Sequence, residues 1–190
     1  MLPGKNKYNL IFLIFFYFTG CVSVTFEENI ILEGNRCNGE IEARQEGLVE
    51  VTDNELLEKA VRPINIGGIC TGKVYQANKP VTVYRVWNKE NAGSEIGRWW
   101  TFKPPTGTRE NYRKDYDICK SWNALNRMTS CTIKIGAKIV VGPGQSAYCK
   151  KSGTIYPQSP FNQVYIDNDR GEPLVENCKP SIKWPEHSEN

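Results

Sequence analysis

Residues 81–87 read Val-Thr-Val-Tyr-Arg-Val-Trp, and residues 98–102 read Arg-Trp-Trp-Thr-Phe. Branched and aromatic side chains crowd a helix but pack well on a pleated sheet, so both stretches are predicted strands. The polar residues 88–97 between them form a loop, and Pro104-Pro105 stops the second strand. Toward the C-terminus, Thr108 caps a predicted helix over 109–119. Two further strands follow at 129–135 and 138–141. Gly136-Ala137 between them reads as the turn of a hairpin, and Gly142-Pro143-Gly144 closes the second strand. Residues 150–162, with Gly153, Pro157 and Pro160, read as a loop before a last strand at 163–166. A turn at 167–171 leads into an irregular tail. Toward the N-terminus, Gly67-Gly68 is a turn. Thr52-Asp53-Asn54-Glu55 is a capping box for a short helix that ends before Pro63. Residues 22–35 read as a tether followed by a first strand through Ile30, Ile31 and Leu32. The fold class is therefore α+β: a compact, mostly antiparallel β core with two or three short helices.

The N-terminus carries a different signal. Lys5 and Lys7 precede an apolar run at 8–18 that only Asn9 interrupts. A helix that spans a bilayer needs roughly 20 apolar residues, so this run is too short and fits a secretory signal peptide over 1–20. Thr19-Gly20-Cys21 puts small residues before a cysteine, which is similar to the bacterial lipobox, although Phe18 stands where that pattern has leucine. On that reading Cys21 is lipidated and becomes the first residue of the mature chain. Ordinary signal cleavage and a retained short anchor are the other readings. The chain has 7 cysteines. Setting Cys21 aside leaves Cys37, Cys70, Cys119, Cys131, Cys149 and Cys178, an even set that reads as three disulfides in an exported chain. Zinc needs closely spaced ligand pairs, and the sequence offers none, so no metal is expected. The spacing leaves the disulfide pairing open.

The 190 residues, less the leader, have the length of one domain, enough to bury a core that disulfides would reinforce. The formal charge is +3, and without Lys5 and Lys7 it is 22 basic against 21 acidic residues. No basic stripe stands out, which argues against a nucleic-acid partner. No second long apolar segment follows residue 21, so membrane attachment would be through the lipid anchor. The single histidine, His187, lies in the tail beside Pro185-Glu186 and argues against Ser-His or Cys-His chemistry. Residues 167–172 resemble a calcium loop, but the glycine comes one place early and the distal glutamate is missing, so a solvated turn is the better reading.

The block from 83 to 166 has an ordered set of features: VYRVW, a polar loop, GRWWTFKPP, a helix with NYRKDY, SWNALNRMTSCTIKIGAKIVVGPGQSA, and a closing NQVYI. In that order it resembles the ADP-ribosyltransferase-like domains of secreted bacterial polymorphic toxins. That group includes NAD-glycohydrolase toxins of the tuberculosis necrotizing toxin type. The family pattern is an Arg on the first core strand, an aromatic and Ser/Thr second strand, and a Glu or Gln opening a late strand. Arg85 matches the first, Trp99, Trp100 and Thr101 the second, and Gln163 the third. The resemblance implies NAD as substrate, with Arg85 and Gln163 catalytic and Arg85, Trp99, Trp100 and Thr101 binding it. It also implies that the strands of Arg85 and Gln163 lie side by side in the core. Arg offers a planar fork of donors to pyrophosphate oxygens. An aromatic wall stacks the nicotinamide ring, and Thr101 hydrogen-bonds the ribose or carboxamide. Cleavage of the N-glycosidic bond builds positive charge on the ribose, as in glycoside hydrolysis. Gln163 lacks the negative charge that would oppose it, leaving Glu172, Asp167 or Glu95 to supply one.

Each of these residues has a plainer reading. Arg85 could run its stem along a sheet face with its head in water. Trp99 and Trp100 stand on opposite faces of a strand, so one belongs to the core. Gln163 could be an ordinary edge-strand residue. Tyr112, Arg113, Trp122 and Asn123 read as packing and capping residues, and Gly142 to Gln145 as either a phosphate cradle or a tight turn.

The expected organisation is a leader at 1–20, an N-terminal extension at 22–80 with a short helix, an ADP-ribosyltransferase-like domain at 81–178, and a tail at 179–190. The expected function is an exported, membrane-anchored lipoprotein, periplasmic or at the cell surface, or a secreted toxin-like protein. It would cleave NAD as a glycohydrolase or mono-ADP-ribosyltransferase. A toxin also implies a target and an immunity protein. The alternative is a non-catalytic surface or envelope lipoprotein that uses the same scaffold as a binding module, and a third is a degenerate member that binds a nucleotide without turnover. Lipidation is tested by labelling with a radioactive fatty acid. The wild-type chain takes up label and Cys21→Ala does not; equal label in both rules it out.

Overall fold

The structure, a computed structural model, describes residues 37–43, 45–168 and 172–184. The expectations for the leader, Cys21, the strand near Ile30, the turn at 169–171 and His187 lie outside the described residues. The compact unit begins at Cys37. Its elements in chain order are β1 (Leu48–Val51), α1 (Asn54–Ala60), β2 (Lys73–Ala77), β3 (Val81–Trp87), β4 (Trp99–Trp100), α2 (Arg109–Asp115), β5 (Arg127–Ile133), β6 (Lys138–Gly144), β7 (Ala147–Cys149), β8 (Thr154–Tyr156), β9 (Ser159–Tyr165), β10 (Val175–Glu176) and β11 (Ile182–Lys183). The molecule is α+β, with antiparallel sheets, two short helices among the described residues and three disulfides.

One sheet has the order β1-β2-β6-β9-β4, so strands of the segment before residue 81 pair directly with strands after it. The second is built on β5, which pairs with β3 on one side and with β10 and β11 on the other. Between the sheets lies the main core, with Val81 and Val83 from β3 and Ile133 from β5 against Ile139 and Val141 from β6 and Val164 from β9. On the opposite face of the first sheet, Leu56 and Ala60 of α1 pack on Val74, Val140 and Tyr165. Strand β6 is therefore covered on both faces. This explains why Ile139-Val140-Val141 is a continuous apolar run rather than an alternating one. Helix α2 lies against the second sheet through Tyr112, which meets Val86, Leu125 and Trp184.

Short segment 99–101 belongs to both sheets. Trp99 and Trp100 pair with Tyr165 and Val164 of β9. The next residue, Thr101, bridges to Tyr84 of β3. The Tyr84 N–H donates to the Thr101 carbonyl at 2.8 Å, and the Thr101 N–H donates to the Tyr84 carbonyl at 2.9 Å.

Several expectations need correction. Strands β5 and β6 do not form a hairpin; each belongs to a different sheet. Ile133 and Ile139 both enter the inter-sheet core, and facing layers bury both where a hairpin would place them in one layer. The turn between them is instead fastened to β2, with the Gly136 N–H donating to the Ala77 carbonyl at 2.7 Å. Helix α2 keeps its Thr108 cap but stops at Asp115, because Asp117 has a φ of 54° that no helix continues through. The N-cap of α1 is Asp53 rather than Thr52, its carboxylate accepting from the Leu56 N–H at 3.1 Å. Residues 150–162 are not a loop: they hold β8 and the first half of β9, including Pro160. Proline is tolerated there because the β6–β9 register shifts beside Pro143 and Gly144. The tail is not irregular in its described part, since β11 pairs with β5 and Trp184 is buried against Tyr112.

The three bridges are Cys37–Cys70, Cys119–Cys149 and Cys131–Cys178. All six cysteines beyond residue 36 are used, which fits a non-cytoplasmic setting. No described helix is long and apolar enough to cross a membrane. Cys131–Cys178 clips the tail onto β5, and Cys119–Cys149 ties the segment after α2 to β7. Peptide mapping without reduction should recover these three pairs and no free thiol among the six. Removing the last pair as Cys119→Ala/Cys149→Ala should cost about 2–4 kcal/mol by denaturant unfolding; an unchanged midpoint would show that the bridge does not hold this segment.

Candidate functional site

Where the two sheets part beside β4, a cavity of about 460 Å³ opens, lined by Arg85, Trp99, Trp100, Thr101 and Gln163 among others. Contrary to what the resemblance implied, the strands carrying Arg85 and Gln163 are not neighbours. Segment 99–101 lies between them, pairing β9 on one side and β3 on the other. The remaining walls come from the turn at 62–68 and from the segment after α2.

Arg85 follows Val81 and Val83 on the same face of β3, at the point where the apolar core gives way to the cavity. It is only 9% exposed, so its head does not run out to water. Its Nε–H donates to the Ser94 carbonyl at 2.8 Å, and Nη1 donates to the Trp99 carbonyl at 2.6 Å. The guanidinium carbon stands 6.0 Å from the centre of the Trp100 ring. A Cβ on residue 97 would come within 2.2 Å of Nη2, so only glycine lets the guanidinium lie there. Among the described residues no carboxylate pairs with Arg85. Burial lowers its pKa to about 10, which still leaves it cationic at neutral pH.

Both tryptophans line the cavity, in different ways. Trp100 is a core residue whose indole N–H donates to the Gly97 carbonyl at 2.6 Å. Trp99 is half-buried and packs edge-on against Tyr165 at 5.0 Å. Thr101 donates its hydroxyl hydrogen to the Lys103 carbonyl at 2.8 Å, so toward a ligand it can only accept. Gln163 is buried, and its amide nitrogen donates to the carbonyls of Gly68 and Tyr116, both at 3.3 Å. With both hydrogens committed, the amide oxygen is the end without a hydrogen-bond partner among the described residues.

Sequence reasoning missed Asp117. It is 1% exposed, lines the same cavity, and neither carboxylate oxygen has a hydrogen-bond partner. Burial, and next the neighbouring Asp115, push its pKa up to about 8. The carboxylate fits because residue 144 is glycine: a Cβ there would lie 2.3 Å from Oδ2 and 3.2 Å from the Gln163 amide nitrogen. The sequence places Asp115-Tyr116-Asp117 inside the predicted helix over 109–119, and nothing local marks the second aspartate as buried. The three acids considered from the sequence lie elsewhere. Asp167 binds Lys59 and the Tyr165 hydroxyl, Glu172 pairs with Lys134, and Glu95 does not line the cavity.

Residues 142–145 are neither a phosphate cradle nor a turn; Gly142 to Gly144 run as buried strand, and Gln145 donates to the Arg62 carbonyl at 3.2 Å. Tyr112 packs and Asn123 caps as expected, Trp122 is exposed and belongs to no core cluster, and all three line the cavity. Arg113 braces that wall by donating to the carbonyls of Ile118 and Asn123, at 3.3 and 2.8 Å. Among the described residues no cluster of three or more metal-ligating side chains occurs. No family model, no curated protein and no solved structure matches this chain.

Asp117 has a direct consequence for stability. The folded chain keeps its proton up to about pH 8, while the unfolded chain releases it near the ordinary aspartate value of 3.8. Between those values the folded state binds more protons, so stability falls as pH rises through the window. Asp117→Asn should therefore gain on the wild type as pH increases, by up to about 1.4 kcal/mol per pH unit inside the window. Urea unfolding of both chains across that range measures the difference; parallel pH profiles would contradict a buried, unpaired Asp117.

Proposed function

We propose that the cavity binds NAD and breaks its nicotinamide–ribose bond, as a glycohydrolase or mono-ADP-ribosyltransferase within an exported, lipid-anchored, toxin-like protein. One observation carries this reading: Arg85, the consecutive Trp99, Trp100 and Thr101, and the distant Gln163 line a single cavity. Its volume is within the roughly 300–1,000 Å³ of small-molecule sites.

The roles follow from what each side chain has left to offer. Two bonds to backbone carbonyls fix Arg85, so its remaining donors are pre-oriented toward an anion. A buried cation without a carboxylate is costly, and a pyrophosphate oxygen would relieve that cost. The rings of Trp99 and Trp100 give a flat nicotinamide something to stack on. Gln163 presents an acceptor for a ribose hydroxyl, a contact that strengthens as the sugar becomes cationic. Exposed Trp122, at 50%, stands at the cavity's rim where a second aromatic ring could rest.

The assay is release of nicotinamide from NAD, or fluorescence from its etheno analogue, using the oxidised, disulfide-bonded chain. Arg85→Ala should lower kcat/KM by about tenfold to a hundredfold, the equivalent of one charge-assisted bond of roughly 1.5–3 kcal/mol. Arg85→Lys keeps the charge but not the fork and should fall between the two. Gln163→Ala should reduce kcat more than it raises KM. A folded wild type that neither binds nor cleaves NAD discards the enzyme, and the scaffold is then a non-catalytic binding module.

A further inference from the structure

Resting on the NAD reading, we propose that Asp117 makes the cavity selective for a ligand whose ring carries a positive charge, and that it gives up its proton when such a ligand binds. The cavity would then take the oxidised dinucleotide, with its pyridinium ring, and discriminate against the reduced one, whose ring is neutral.

The argument starts from two buried groups of opposite type in one cavity. Among the described residues Arg85 donates only to carbonyls, and the Asp117 carboxyl has no hydrogen-bond partner. In an empty apolar site the cheapest arrangement would be a salt bridge between them. The fold prevents it by fixing Arg85 on Ser94 and Trp99 and seating Asp117 against Gly144, beside the Gln163 amide. Two separated and uncompensated groups match a ligand with an anionic diphosphate at one end and a cation at the other. The other charged and titratable groups around Asp117 do not substitute for that cation. Asp115 and Tyr116 on its own segment and Tyr112 on α2 carry no positive charge, and Asp115 raises the Asp117 pKa further. Arg62, from the turn beyond α1, lines the cavity but contributes nothing to the Asp117 shift.

In the empty site Asp117 holds a proton at neutral pH, consistent with a pKa of about 8. A pyridinium ring nearby favours the carboxylate, so the proton leaves to solvent as the ligand enters. Each pH unit by which the ligand lowers that pKa strengthens binding about tenfold at high pH, by linkage. Nothing of this kind occurs with the neutral ring.

Calorimetry on the full oxidised chain tests it, with two probes: the non-cleavable carbocyclic analogue of NAD, which keeps the cationic ring, and NADH. Titrations at pH 7 in buffers of different ionisation heat count protons. The wild type should release most of one proton to the cationic analogue and none to NADH, and should prefer the analogue by about tenfold or more. Its affinity for the analogue should rise with pH up to about 8, in line with the Asp117 value. Asp117→Asn should melt at or above the wild-type temperature, release no proton, show a flat pH profile, and lose the preference to within about threefold. An Asp117→Asn chain that keeps both the preference and the proton release overturns the assignment while leaving NAD binding intact. A wild type that binds neither probe overturns the NAD reading and this assignment with it.

Discussion

Two hydrogen bonds between Tyr84 and Thr101 hold the arrangement together. They give segment 99–101 a place in both sheets, since its first two residues already pair with β9. Arg85 follows Tyr84 directly, so the bridge also brings the guanidinium up to the Trp99 carbonyl. The loop between the strands is then fixed at its end, where the Gly97 carbonyl accepts from both the Trp100 indole and the Asn168 amide. The cavity is the space left where two sheets, closely packed around Val83 and Val141, are joined by a strand too short to fill the gap.

The site departs from the rules that govern the rest of the molecule. Elsewhere most buried polar groups are paired, the Trp87 indole N–H being an exception: Thr129 donates to the Lys179 carbonyl, Ser159 to that of Asp115, and Gln145 both donates and accepts. At the cavity, a cation paired with no carboxylate and an aspartic acid with no hydrogen-bond partner among the described residues are buried within the same lining. Each raises the free energy of the folded state. Three disulfides and a core covered on both faces of β6 offset that cost.

Local chemistry made much of the fold legible. Strand β3 has the bounds its branched and aromatic residues imply, and Thr108 caps the helix it precedes. Arg85, Trp99, Trp100, Thr101 and Gln163 were named from residue type and order, and all five line one cavity. What local chemistry could not carry is long-range. Gly136 reads as a hairpin turn because a glycine at positive φ serves a hairpin and a crossover equally well. Strands β10 and β11 have two residues each, too few to show a period, and exist because Cys178 is bridged to the middle of β5. By sequence Asp117 falls in the last turn of a predicted helix; only the missing side chain at residue 144, on a distant strand, lets it sit inside.

The strand order has a consequence in time as well as in space. Strand β9 lies between β6 and β4, so those two edges stay open until residues 159–165 have been made and inserted. Most pairings of the first sheet join segments remote in sequence, and their loop-closure entropy must be met before any contact rewards it. Arg85 is synthesised early, but the carbonyl that fixes it belongs to a strand whose own partner arrives near the end. The cavity is therefore a late event of folding, and a chain ending before β9 would present two unpaired edges prone to association in its place.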